Sequence, residues 1–170
     1  NISHRLDTLE LVHKLGLACL IIDYRGYGRS QGTPSEKGMY ADAEAAWAWL
    51  VQTKGADPES IVCWGRSLGG PVAAHLAHTR GPGALILEST FTSLPDLGQK
   101  LYPFLPVHLI SFLRFPTITY VRDLKCPLLV VHSSQDQLVP VHMGQKLFQA
   151  GPEPKRFVQI QGDHNQGFLV

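Results

Sequence analysis

This sequence of 170 residues has little excess charge of either sign, only three cysteines and no long apolar run. The net charge is only +1, which gives no electrostatic reason to expect nucleic acid or an acidic lipid as a partner. The three cysteines are an odd number, and none has the spacing of a metal-binding knuckle. We therefore expect Cys19, Cys63 and Cys126 to be buried free thiols in a reducing compartment, with no metal or other cofactor.

The sequence has neither a secretory signal pattern nor an apolar run long enough to cross a bilayer. These two features predict a cytoplasmic protein without a transmembrane segment. The chain opens directly on Asn1 without an initiator methionine, and it stops at residues 168–170 in what reads as a helix start. Both ends lead us to expect a truncated chain.

A glycine-rich loop over residues 23–32 also lacks what nucleotide binding needs. Gly26, Gly28 and Gly32 are spaced one residue too widely for the dinucleotide-binding fingerprint. No helix opens on the loop at once, and no acidic residue closes a second strand at the required distance. The loop therefore predicts no nucleotide site.

What the sequence does contain is typical of a globular α/β protein. Apolar residues make up 44% of the chain and charged residues 17%. Short apolar runs alternate with helical patterns, which predicts a single domain over residues 1–170 with a mostly parallel sheet and helices on both faces. The predicted strands are residues 17–22, 61–64, 84–87, 127–131 and 156–160.

Helix signals stand between these runs. A helix is expected from Ser3 with a stop at Gly16, another with Ser35 as its N-cap, a third directly after residue 67, and a fourth opened by Pro140. In the second helix the apolar stripe predicts burial of the residues Met39, Ala43, Ala46, Trp47 and Leu50. Trp47 and Trp49 are both expected to be packing residues.

Residues 90–120 form the least regular segment. Four prolines interrupt it, which predicts short helices and excludes a strand. The segment is strongly apolar, and its position favours a lid-like insertion above the sheet edge. A plain packing excursion is the alternative, whereas His108, Arg114 and the prolines argue against a membrane anchor.

The pentapeptide Gly65-Arg66-Ser67-Leu68-Gly69 lies between a predicted strand and a helix of small residues. This is the setting of a nucleophile elbow, in which a strained turn lifts the serine hydroxyl out of the sheet edge. The glycines on either side are expected because a Cβ there would collide with neighbouring backbone. Ser67 is the candidate nucleophile, and the backbone N–H of Leu68 is a candidate oxyanion donor.

Three predicted strand ends carry groups that suit acyl transfer. Ser67, Asp136 and His164 follow different strands, and ligand sites in parallel sheets collect at these carboxyl ends. A serine hydroxyl needs an imidazole to take its proton and a carboxylate to orient that imidazole. The sequence predicts that Ser67 attacks, His164 acts as general base and then acid, and Asp136 orients His164.

Other groups compete for these roles. Glu88 lies at the end of a predicted strand and is an alternative to Asp136 as the acid of the triad. We expect the remaining candidates to be structural, namely Asp163, His132, His75 and His78. No Ser-x-x-Lys or His-Glu-x-x-His pattern is present.

Five ordered motifs together resemble the α/β-hydrolase superfamily, in its serine-aminopeptidase-like branch, which also holds protein depalmitoylases. They begin at Asp23, Pro34, Gly65, Ser134 and Gly162. The resemblance implies the α/β-hydrolase fold and the same roles for Ser67, Asp136 and His164. Where the family has Gly-Gly-His-Asn, this sequence has Gly-Asp-His-Asn, which leaves the histidine in place.

The start of the chain departs further from this family. The resemblance implies a preceding strand, between the strands predicted at 17–22 and 61–64, and a loop that supplies a second oxyanion donor; both are missing here. Losing one such donor costs about 100- to 1,000-fold in rate. We therefore expect weak activity or instability from these 170 residues alone, and a faster enzyme in an N-terminally extended chain.

The leading hypothesis is a serine hydrolase that cleaves an ester or thioester of a small-molecule or acyl substrate through an acyl-enzyme. A serine peptidase of the same fold is one alternative, and a non-catalytic α/β-hydrolase-fold binding protein is another. The apolar 90–120 segment favours a hydrophobic acyl group. Nothing in the sequence determines the oligomeric state.

Overall fold

The fold is built on a parallel sheet, seen in a computed structural model that describes residues 2–164 apart from the side chains of residues 3 and 4. Within that range the sheet has four strands, paired in chain order: β1 (Val62–Arg66), β2 (Ala84–Glu88), β3 (Leu128–Ser133) and β4 (Lys155–Ile160). Because all are parallel, their carboxyl ends meet at one edge of the sheet. The predicted α/β class is confirmed.

Helices connect the strands: α1 (Leu6–Lys14), α2 (Glu36–Ala48), α3 (Gly69–Arg80), α4 (Leu94–Leu101), α5 (Val107–Ile110), α6 (Thr117–Arg122) and α7 (Val141–Ala150). A 3₁₀ turn (Ile2–Arg5) precedes α1, and a π-helical turn (Trp49–Thr53) continues α2. The predicted helix start at residues 168–170, and Asn165 of the last motif, lie outside the described residues.

One face of the sheet carries the main core. Leu85 and Leu87 of β2 are fully buried there, because alternate residues of a strand point to the same face. Helix α3 covers them with the small side chains of Ala74 and Ala77, which let the helix approach the strands closely. On the opposite face Trp64 of β1 is 40% exposed. The face of the sheet that α3 covers is therefore the buried face, and it supports the strand ends that carry the site.

Helix α2 agrees with most of its predicted pattern. Ser35 caps it as expected, accepting a hydrogen bond from the Gly38 N–H at 3.1 Å. Met39 and Trp47 are buried. Trp49 was expected to pack and does not: it is 43% exposed, although Val51 beyond it still packs against the core, and the Lys54 ammonium lies 4.9 Å from its ring.

The strand predicted at residues 17–22 is wrong. These residues have no regular secondary structure, and Leu17 and Leu20 are 59% and 42% exposed. A strand needs a neighbour for its backbone hydrogen bonds, and among the described residues only β2 pairs with β1. The prediction for Cys19 fails with it, because this thiol is exposed while Cys63 and Cys126 are buried.

Residues 90–120 form short helices, as their prolines predicted. The two ends pack into a second apolar cluster through Phe91, Leu97 and Phe115. The Phe115 N–H also donates to the Glu36 carboxylate at the start of α2, at 3.0 Å. Between these anchors α5 packs on α4 through Val107 beside Gly98, while large apolar side chains are exposed, with Phe112 at 99%. The segment thus has fixed ends and an exposed apolar surface between them.

Candidate active site

The turn between β1 and α3 holds Ser67 in a left-handed conformation, with φ +50°. A non-glycine residue in this region costs about 1–3 kcal/mol and persists only where the surroundings impose it. Here they do, because the Ser67 N–H donates to the Glu88 carbonyl at 2.9 Å and the Thr90 hydroxyl donates to the Ser67 carbonyl at 2.7 Å. The strand beside β1 thus holds the turn in shape. Leu68 follows as the N-cap residue of α3.

The glycines of this turn are not equally necessary. A Cβ at Gly65 would lie 2.6 Å from the Cβ of Ala73 and would also collide with the Gly69 carbonyl. A Cβ at Gly69 would meet nothing closer than the Tyr24 hydroxyl, at 3.7 Å. The collision expected at Gly69 is absent; its neighbour Gly70 has no room instead, because a Cβ there would overlap Thr90.

Ser67, His164 and Asp136 come together at the carboxyl edge of the sheet. The His164 Nε2 lies 3.0 Å from the Ser67 Oγ, and the His164 Nδ1 lies 2.7 Å from the Asp136 Oδ2. An ionised carboxylate only accepts hydrogen bonds. Nδ1 therefore carries the ring proton, and this N–H donates a hydrogen bond to Asp136. Nε2 is then left as an acceptor for the Ser67 hydroxyl. The arrangement can withdraw a proton from Ser67.

Asp136 is built to stay ionised. Its side chain is buried, and burial alone would raise the pKa. Hydrogen bonds from His164 and from the backbone N–H groups of Val139 and Leu138 outweigh burial and bring the pKa below its ordinary value. One carboxylate oxygen thus accepts from the backbone of the loop, and the other accepts from the imidazole.

Two of the competing histidines, His132 and His75, have structural contacts. His132 is fully buried, and its Nε2 lies 2.8 Å from the Val139 carbonyl, so the ring ties strand β3 to the loop after Asp136. Burial lowers the pKa of His132, which keeps the ring neutral. His75 stacks on Tyr40, with ring centroids 4.1 Å apart.

Two open clefts lie near this edge of the fold. One, of about 330 Å³, is lined by Gln137, Leu138, Asp163 and His164, and it gives access to the imidazole. The other, of about 340 Å³, lies between α4, α5 and α7 and is lined by Lys100, Lys146 and His142 among others. The first cleft therefore adjoins the site.

Over residues 2–164, no cluster of three or more His, Cys, Asp or Glu side chains could hold a metal ion. None of the helices in that range is long and apolar enough to span a membrane.

The model of a protein family described as "alpha/beta hydrolase fold" matches residues 6–109, more than half of the chain. The chain belongs to the alpha/beta hydrolase family. This family member is 42% identical over 169 residues to the Mycobacterium tuberculosis "Uncharacterized protein Rv2307c" of strain H37Rv, covering 99% of this chain and 60% of that protein. It is 35% identical over 171 residues to "Lysophosphatidylserine lipase ABHD12" of Danio rerio, covering 90% and 44%.

A solved alpha/beta hydrolase from Vibrio vulnificus matches with a TM-score of 0.82 and 26% identity, covering 98% of this chain and 65% of that one. The present alpha/beta hydrolase chain therefore spans about half to two thirds of the length of these relatives.

Sequence reasoning missed one group of residues in this alpha/beta hydrolase site. Arg66, inside the pentapeptide, contacts both Glu88 and the backbone of His164. Trp64 donates to Glu88 from its indole N–H. Glu88, considered above as an alternative acid, contacts these two partners. It is Asp136 that accepts the hydrogen bond from the imidazole. The sequence signals were limited to the position of Arg66 inside the pentapeptide and of Glu88 at the end of a predicted strand.

Proposed function

We propose that this chain carries the reacting groups of a serine hydrolase that cleaves an ester or thioester through an acyl-enzyme. The observation that supports it is the relay at the sheet edge, with 3.0 Å from Ser67 Oγ to His164 Nε2 and 2.7 Å from His164 Nδ1 to Asp136 Oδ2. Three separate loops supply these groups, and a nucleophile, a base and an orienting acid at these spacings suit acyl transfer.

In the acylation step, the Ser67 Oγ forms a bond to the substrate's carbonyl carbon while its proton passes to His164 Nε2. The charge on the carbonyl oxygen is stabilised by the N–H of Leu68, which follows the nucleophile at the start of α3. The tetrahedral intermediate then expels an alcohol or thiol, which takes the proton from His164. Asp136 remains ionised and balances the imidazolium charge.

In the deacylation step, His164 removes a proton from a water molecule, which attacks the acyl carbon. The bond to Ser67 Oγ breaks, and the serine recovers its proton from His164. The cleft lined by Gln137, Leu138 and Asp163 beside the imidazole offers a route for the departing alcohol and the entering water.

Two observations support a hydrophobic acyl group. The segment between Leu101 and Leu113 exposes large apolar side chains, with Phe104 86% and Phe112 99% exposed. The relative from Danio rerio bears the name of a lipase, an enzyme class that cleaves such esters. We propose that the 90–120 segment is a lid whose apolar side chains contact the acyl chain.

A fluorophosphonate probe tests the nucleophile directly. We expect covalent labelling of the wild-type chain at Ser67, no labelling of Ser67→Ala, and normal labelling of Ser60→Ala, an exposed serine in the 3₁₀ turn Pro58–Ser60. Modification at another serine, or none in a folded protein, would contradict the hydrolase proposal and favour a binding protein of the same fold.

A panel of p-nitrophenyl esters of increasing chain length tests the acyl preference. We expect kcat/KM to rise with chain length in the wild type. The Phe104→Ser/Phe112→Ser variant should lose that rise but keep acetate hydrolysis, whereas Leu15→Ser, an exposed leucine after α1, should change neither. An equal preference for all chain lengths would count against the lid.

A further inference from the structure

Arg66 links the nucleophile turn to the loop that carries His164. It is the last residue of β1, and its side chain is 12% exposed. Its Nη2 donates to the backbone carbonyl of His164 at 2.6 Å. A charged donor makes a stronger hydrogen bond to a carbonyl than a neutral donor does. The strand that presents Ser67 therefore also holds the backbone of the histidine.

Glu88 holds Arg66 in the orientation that this bond needs. Arg66 and Glu88 are register partners on adjacent parallel strands, so their side chains leave the sheet side by side. The Arg66 Nε lies 3.2 Å from Glu88 Oε1, and the Trp64 indole N–H donates to Glu88 Oε2 at 3.0 Å. Both carboxylate oxygens thus have a partner. The guanidinium is fixed at one end and reaches His164 with the other.

The burial of this pair argues for a specific role. The Glu88 side chain is only 5% exposed, and a buried ion pair gains little over a pair of well-packed apolar residues. Burial raises the pKa of Glu88, and the neighbouring Arg66 acts against that rise. A pair in this position contributes orientation more than stability.

We propose that Arg66, held by Glu88 and Trp64, is a positioning residue that fixes the backbone of His164, and so keeps its imidazole between Ser67 and Asp136. We call these three side chains, Trp64, Arg66 and Glu88, the clamp. The kinetic consequence of the clamp depends on the proposed hydrolase function, whereas its effect on the state of the His164 ring does not.

The test compares Arg66→Met with Arg66→Met/Glu88→Gln. Methionine keeps much of the apolar stem but cannot donate to the His164 carbonyl. The single variant leaves Glu88 buried without its cation and can fail to fold. The double variant removes both charges, and its glutamine oxygen still accepts from the Trp64 indole. Arg80→Met, which breaks an ion pair between the exposed Arg80 of α3 and Glu44 of α2, is the matched control.

Two readouts are needed. We expect kcat to fall by about 10- to 100-fold in the folded clamp variants, because small displacements of a catalytic group have effects of this size. KM should change by less than about threefold, since the clamp touches no substrate. Arg66→Lys should recover only part of the loss, because one ammonium cannot bridge Glu88 and the His164 carbonyl as a guanidinium does.

The second readout is the ring of His164 in two-bond ¹H–¹⁵N spectra, assigned with His164→Gln. In the wild type and Arg80→Met we expect the single tautomer with the proton on Nδ1. In the clamp variants we expect averaged nitrogen shifts, because the ring is no longer held against Asp136.

Unchanged shifts in a folded clamp variant would overturn the proposal, even if kcat fell. If the wild type failed to react with a fluorophosphonate, the hydrolase function would be refuted, and the ring shifts would still decide the role of the clamp. If both Met variants failed to fold, Arg66→Lys would decide: averaged shifts would support the clamp, and wild-type shifts would refute it.

Discussion

Replacing Asp136 by asparagine tests the proposed relay most directly. The amide has the shape of the carboxylate, and its oxygen can still accept from the backbone N–H groups of Leu138 and Val139. Its NH₂ group then faces His164 Nδ1. Two donors cannot face each other, so the imidazole must shift its proton to Nε2.

The size of the effect follows from that shift. With the proton on Nε2, the ring at 3.0 Å from Ser67 Oγ offers a donor where an acceptor is needed. The hydroxyl has then lost its base, although every side chain stays in place. A wrong tautomer of this kind lowers kcat by about 10⁴-fold. This corresponds to about 5 kcal/mol of transition-state stabilisation.

The assay is steady-state hydrolysis of p-nitrophenyl acetate at neutral pH, with unfolding in urea as a check on structure. Asp123→Asn, an exposed carboxylate at the end of α6, is the matched control and should retain wild-type kcat. A folded Asp136→Asn protein with kcat within about tenfold of the wild type would refute the relay, because the tautomer argument requires a far larger loss.

Three further outcomes can be checked on the same protein. Gly65→Ala should destabilise the fold by about 1–3 kcal/mol, because its Cβ has no room, while Gly69→Ala should be close to neutral in urea unfolding; equal effects would contradict this. Because the folded-state pKa of Asp136 is lowered from 3.8, its stabilising contribution is present above that value and lost as pH falls through the folded-state pKa. The unfolding free energy of the wild type should therefore fall more steeply in acid than that of Asp136→Asn, and identical slopes would refute it. Cys19 should react quickly with an aromatic disulfide reagent, whereas Cys63, whose pKa burial raises to about 12, should react only on unfolding; rapid reaction of both thiols in the folded chain would contradict the structure.

The part of the site that depends on local sequence was predictable. A glycine–serine–glycine turn between a strand and a helix carries its own geometry, and strand ends of a parallel sheet meet at one edge. Ser67, Asp136 and His164 could therefore be named from spacing and order. Their distances and the left-handed φ of Ser67 needed coordinates.

The parts that failed depend on neighbours remote in the chain. Residues 17–22 have the composition of a strand, but composition cannot supply a pairing partner. Trp49 lies two positions after the buried Trp47, which on a helix turns its side chain away from the core. Glu88 was considered only as an alternative acid and Arg66 only as part of the pentapeptide, because only the register of β1 on β2 brings the two side by side.

In the proposed hydrolase, the left-handed backbone of Ser67 lowers stability at the position that the chemistry needs. Glycine adopts the same turn without steric strain, so we expect a Ser67→Gly chain to tolerate higher temperatures than the wild type, though it would lack the proposed nucleophile. Directed evolution that rewarded thermal tolerance alone would drift toward that exchange. Retention of serine at this position in such an experiment would require selection for chemistry.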